Sequence, residues 1–214
     1  MSHRGIIIYH VRARMGLEQS KEKLHRGAPV TLVALGDSLT SGWMVRKGYL
    51  EYLTEMIEQA YPSARLTIIN RGIPGDTADN GRVRVYSDVI AHKPDLVFIQ
   101  FALNDAVMGY SPQQFATNMR SILSAIQAAC PAEILLITSV CLMSRRENEV
   151  ANMFYRAIED LADSFGLSVA KVHDYMQQKI AEGLDFRRLV QGDMVHPTSE
   201  GYRLMAEAIM LAFQ

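Results

Sequence analysis

Two periods organise the apolar positions of this chain. Short runs rich in β-branched residues lie at 30–35, 66–70, 95–101, 134–139 and 168–172, each with the length and continuity of a strand. Between them apolar residues recur at helical spacing, as Leu50, Leu53, Ile57 and Ala60 do within 47–60. Further helices are predicted over 77–92, stopped before Pro94; over 147–165, closed by Gly166; over 174–182, ending at Gly183; and over 199–213. Ser111, Pro112 and Gln114 supply an N-cap, a proline at the first helical position and the far half of a capping box, which predicts one more helix running to Ala129.

Strand and helix thus alternate from residue 29 onward. That pattern predicts the α/β class, with a parallel sheet covered by helices on both faces. The strand runs lack strict period-two alternation, as strands buried on both sides do. One doubly wound domain over 29–214 follows, preceded by an extension over 1–28. In such folds ligands sit outside the carboxyl ends of the strands, so chemistry is sought just after each strand.

Composition narrows the classes. Apolar residues make up 49% of the 214 and charged residues 21%, which excludes a mainly disordered chain. The formal net charge is −1, so no global basic field for nucleic acid exists. The charge is unevenly spread: residues 1–28 carry +4 (Arg4, Arg12, Arg14, Lys21, Lys23 and Arg26 against Glu18 and Glu22) and the rest −5. No apolar run approaches the ~20 residues of a membrane span, and Ile6-Ile7-Ile8-Tyr9 is too short for a signal-peptide core, so stable membrane insertion is not expected. A cytoplasmic location is the expectation, and Cys130 and Cys141 are read as reduced thiols. Nothing in the sequence decides the oligomeric state.

Four groups stand at the expected strand ends: Gly36-Asp37-Ser38-Leu39-Thr40, then Asn70 to Thr77, then Ala102-Leu103-Asn104-Asp105, and finally Asp193-Met194-Val195-His196-Pro197 before the last helix. Together they match serine acyl chemistry. A serine hydroxyl needs an adjacent base to attack a carbonyl, and His196 serves that need. Asp193, three residues earlier, is placed to accept from the other imidazole nitrogen. No G-x-S-x-G elbow is present, which disfavours the α/β-hydrolase fold. Neither a zinc-type histidine motif nor a phosphate-binding G-x-x-x-x-G-K-[ST] loop occurs, and the chemistry calls for no metal or cofactor.

The four groups, in this order, resemble the blocks of the SGNH-hydrolase (GDSL esterase/lipase) family across residues 36–196. The resemblance implies a flavodoxin-like three-layer α/β/α sandwich of about five parallel strands. It implies a catalytic triad of Ser38, His196 and Asp193. It also implies an oxyanion hole formed by the backbone N–H groups of Ser38 and Gly75 and the side-chain amide of Asn104, with Gly72 as the alternative glycine. The third block departs from the family's G-x-N-D in placing Ala102 at the glycine position. Asp37, Asp76 and Asp105 are expected to brace loops, and His173 to be structural. Substrate contacts are expected from Trp43, Met44, Met108, Tyr110, Leu142, Met143, Arg145 and Arg146, with a small-molecule ester or thioester as substrate.

Two other functions fit parts of this pattern. An acyltransferase would use the same site with an alcohol replacing water. A signalling or binding module of flavodoxin-like shape would use Asp37 as phosphoacceptor or cation ligand, and would leave Gly75, Asn104 and the Asp193–His196 pair without a role.

Overall fold

The computed structural model describes residues 16–214. Arg4, Arg12, Arg14 and the run from Ile6 to Tyr9 lie outside the described residues. Strands β1 (Pro29–Gly36), β2 (Arg65–Gly72), β3 (Leu96–Gln100), β4 (Glu133–Ile137) and β5 (Ser168–Ala170) form one parallel sheet in the order β2-β1-β3-β4-β5. Each expected strand is present, shifted by a residue or two at its ends. This is the flavodoxin-like order, in which the chain reverses direction across the sheet between β1 and β3.

Side chains alternate between two cores along the strands. Leu32, Ala34, Phe98, Leu135 and Ile137 pack on one face beneath α1 (Glu18–His25), α3 (Tyr49–Ala60), α8 (Val172–Ala181) and α10 (Ser199–Met210). Val33, Leu35, Val97, Ile99 and Leu136 pack on the other face beneath α4 (Ala78–Asp88), α6 (Pro112–Ala129) and α7 (Arg145–Phe165). Burial on both faces explains the unbroken apolar runs of β1 and β3.

The predicted helix ends hold where a cap defines them. Ser111 accepts from the Gln114 N–H and the Gln114 side chain accepts from the Ser111 N–H, so α6 begins at Pro112. Gly166, with φ of 70°, closes α7. The helix expected over 77–92 is instead α4 followed by a 3₁₀ turn at Ile90–His92, because Val89 leaves helical geometry and Lys93 is left-handed ahead of Pro94.

Three very short helices escape periodicity: α2 (Ser38–Ser41), α5 (Leu103–Val107) and α9 (Phe186–Leu189). None is long enough to show a repeat.

The boundary expected between residues 28 and 29 is crossed by the core. Leu17 and Leu24 are fully buried against the first face of the sheet. The Glu133 carboxylate accepts from the N–H groups of Gln19 and Ser20 at 2.9 and 2.7 Å, capping α1 from the start of β4. Lys23 pairs with Asp95 at 2.5 Å. The segment from Leu17 therefore packs as part of the sandwich, although it falls within the stretch read as an extension.

Candidate active site

Ser38 follows β1 and opens α2. The N-cap of that helix is Asp37, whose Oδ1 accepts from the Leu39 N–H at 2.8 Å, so Ser38 itself is not a capping residue. Its Oγ lies 2.8 Å from His196 Nε2. His196 Nδ1 lies 2.6 Å from Asp193 Oδ2. Asp193 Oδ1 also accepts from the N–H groups of Val195 and His196 at 3.0 and 2.9 Å. Desolvation opposes ionisation of Asp193, but these backbone donors and the His196 ring hold its carboxyl below the ordinary range. An ionised carboxylate only accepts, so the His196 proton sits on Nδ1 and Nε2 is left to accept from the Ser38 hydroxyl.

The loop carrying Asp193 and His196 is tied to its surroundings. Val190 and Pro197 form an antiparallel bridge, and the Gln191 side chain donates to the carbonyls of Trp43 and Pro197. Gly201 lets α10 meet this loop, since a Cβ there would stand 2.2 Å from the Leu189 carbonyl oxygen. The Trp43 ring lies 5.7 Å from the His196 ring, centre to centre. Buried Tyr202 accepts from the Trp43 N–H at 3.0 Å, fixing the segment that leaves α2.

Gly72 and Gly75 play different parts. A Cβ on Gly72 would meet the Ser41 nitrogen at 2.2 Å, and its N–H donates to Asn70 Oδ1. Gly72 is thus a close-packing glycine whose amide is occupied. Gly75 stands at φ of 86° with nothing near its absent Cβ, on a loop open to solvent. Asn104, on α5, donates from Nδ2 to the Asp76 carbonyl at 2.9 Å, joining the two loops.

Several braces surround the site. Asp105 is buried and accepts from the Ala78 N–H through both oxygens, and desolvation raises its carboxyl to about 6. Asp37 is wholly buried over Gln100, Thr40 and Ser139, and desolvation raises it to about 7. That burial removes the reading of Asp37 as an accessible phosphoacceptor or cation ligand. His173 is buried against Tyr155. It bonds Asn148, which in turn holds the backbone of Leu142 and Ser144.

A groove of about 460 Å³ runs between α5, the start of α7 and Val195. Leu103 and Val195 line it from positions adjacent to Asn104 and His196, and Val107, Leu142 and Val150 extend its apolar wall, with Arg146 at its edge. Of the expected substrate contacts, Trp43 lies at the site and Leu142 and Arg146 line the groove. Met143 lines a different cavity with Cys141 and Phe186. Met44 and Met108 are exposed and outside the groove lining, and the Arg145 side chain, 94% exposed, pairs with Glu149. Among the described residues no cluster of His, Cys, Asp and Glu is arranged to hold a metal ion, and no helix is long and apolar enough to cross a membrane.

Residues 34–204 match the profile of the GDSL-like lipase/acylhydrolase family. The chain belongs to that family. It is by class an acyl ester hydrolase. It is 26% identical over 178 residues to the thioesterase 1/protease 1/lysophospholipase L1 of Escherichia coli, covering 83% of this chain and 80% of that one. The acetylxylan esterase of Geobacillus stearothermophilus is 22% identical over 86% of this chain and 94% of its own. Its crystal structure superposes with a TM-score of 0.77, which places the two in one fold. Structures of that esterase also include three catalytic mutants, in which a serine, an aspartate or a histidine is replaced by alanine.

Proposed function

We propose that this GDSL-family hydrolase cleaves small carboxylic esters or thioesters through Ser38, His196 and Asp193. The observation that carries the reading is the continuous line from Ser38 Oγ to His196 Nε2 at 2.8 Å and from His196 Nδ1 to Asp193 Oδ2 at 2.6 Å. Ser38 Oγ attacks the acyl carbonyl while its proton passes to Nε2. Asp193 stabilises the resulting imidazolium. The proton then goes to the leaving alcohol or thiol, which departs as the acyl–Ser38 ester forms. Water attacks that ester by the same route, giving Nε2 its proton and releasing the acid and free Ser38.

The tetrahedral oxygen needs donors at the moment its charge develops. The Ser38 N–H lies in the first turn of α2, where helices leave amides unpaired. The Gly75 N–H and the second amide hydrogen of Asn104 complete the hole in this reading. The catalytic mutants of the G. stearothermophilus esterase replace the same three residue types as this triad. The groove through Leu103, Val107, Val150 and Val195 takes the acyl portion, since its wall is apolar and begins at the residues flanking Asn104 and His196.

Labelling with a fluorophosphonate tests the triad. A single covalent adduct is expected on Ser38 in the folded protein, and none in Ser38→Ala or His196→Ala. An unlabelled Ser38 in folded wild type would remove the reading.

A further inference from the structure

Arg84 sits on α4 with only 13% of its side chain exposed, and it is spent on backbone at the catalytic end of the sheet. Its Nη2 donates to the carbonyl of Gly36, the last residue of β1, at 2.9 Å. Its Nη1 donates to the carbonyl of Arg71, near the end of β2, at 2.9 Å, and to Asp88 at 2.8 Å. Its Nε donates to the Asp76 carboxylate at 2.8 Å. A single planar guanidinium thereby joins the strand that delivers Ser38, the strand that delivers the Gly75 loop, and that loop itself.

Asp76 is the link to the chemistry. Its side chain is held by Arg84, its carbonyl accepts from the Asn104 amide at 2.9 Å, and its chain neighbour is Gly75. The helix is brought close enough for this by Gly81, one turn before Arg84. A Cβ at residue 81 would meet the Phe101 ring at 2.7 Å. A Cβ on Gly75 would meet nothing within 4 Å, while the loop's own backbone bonds run from Ile73 N–H to the Gly36 carbonyl and from Asp76 N–H to the Ile73 carbonyl.

We infer that Arg84, acting through Asp76, is the positioning residue of the oxyanion hole, setting where the Gly75 N–H and the Asn104 amide point. The inference rests on the proposed triad and hole. Arg84 touches no substrate. An interaction that aligns donors for a charge present only in the transition state affects kcat far more than KM. Donors displaced by a fraction of an ångström to one ångström cost about 10- to 100-fold in rate.

The test is steady-state hydrolysis of p-nitrophenyl acetate by wild type, Arg84→Gln, Arg84→Lys, Asn104→Ala and the Arg84→Gln/Asn104→Ala pair, with thermal melts on each. Arg84→Gln is expected to lower kcat by about 10- to 100-fold with KM little changed. Arg84→Lys keeps the charge without the fork and should recover only part of the loss. In the Asn104→Ala background the same Gln substitution should cost less, because one of the two donors it aligns is gone. Asp76→Asn, which keeps the carbonyl and weakens the Arg84 contact, should show the same kcat-selective loss if Arg84→Gln does not fold. Normal kcat in folded Arg84→Gln or Asp76→Asn overturns the inference, as does an Arg84→Gln loss that multiplies in full with that of Asn104→Ala. Normal kcat in Asn104→Ala is a separate result, which overturns the proposed hole itself.

Discussion

Asp37 shows how one residue carries opposing demands. It caps α2 and so orients Ser38, but it does so from a dry position that penalises its charge. Its carboxyl is raised from an ordinary 3.8 to about 7, so between those values the folded protein holds a proton that the unfolded chain has released. Stability must therefore fall as pH rises through that window. Urea midpoints measured from pH 4 to 7 should show this decline in wild type and a flatter profile in Asp37→Asn, which keeps an oxygen for the Leu39 N–H. An unchanged slope would mean that Asp37 does not titrate there.

Ala102 makes a second case at this scale. It is the departure from the family's glycine, and its small Cβ is accommodated in the core. Its backbone is not relaxed, however: φ is 144°, a region that favours glycine. Ala102→Gly should relieve about 1–3 kcal/mol of strain against about 0.4–1 kcal/mol of added chain entropy, a net gain of about 1 kcal/mol. Chemical denaturation of the two proteins decides it, and a less stable glycine variant would contradict the strain.

At the scale of elements, α1 is the clearest departure from the sequence reading. It lies in the stretch read as an extension and carries two lysines against two glutamates, while Leu17 and Leu24 are covered by β1 and its neighbours. Leu24→Ala should then cost about 2–5 kcal/mol, as buried leucines do, and a melt within a degree of wild type would return α1 to accessory status. The long helices were legible because caps and spacing are local: Ser111 with Gln114, and Gly166 at its left-handed position. Helices α2, α5 and α9 were not, since a single turn shows no period. Of the candidate site residues, Ser38 and Asn104 stood out as reactive types after predicted strands, and Asp193 and His196 as a pair before the last helix. Arg84, Gln100 and Asn148 did not, because each acts on backbone or buried side chains of other segments, as Arg84 does on Gly36, 48 positions away.

For the molecule as a whole, the sheet order explains why these pieces meet. With β1 and β3 adjacent and the chain turning to opposite faces beyond them, Ser38 and Asn104 emerge side by side at the switch point. The same topology brings α10 and α3 together on one face, and the loop before α10 reaches across to the end of β1. Sequence pattern foretold the layers; the strand order, which hydrophobic periodicity does not encode, sets the glycine loop after β2 and the Asn104 loop after β3 on either side of the strand that leads to Ser38.

The Ser38–His196 pair spans 158 positions of the chain. In the proposed mechanism the nucleophile therefore leaves the ribosome long before its base exists. A nascent or C-terminally clipped chain that ends ahead of residue 193 holds a serine with no partner to take its proton. In that mechanism hydrolytic competence arrives only once the chain has been made through His196, and turnover reports that the loop carrying it has closed onto Ser38.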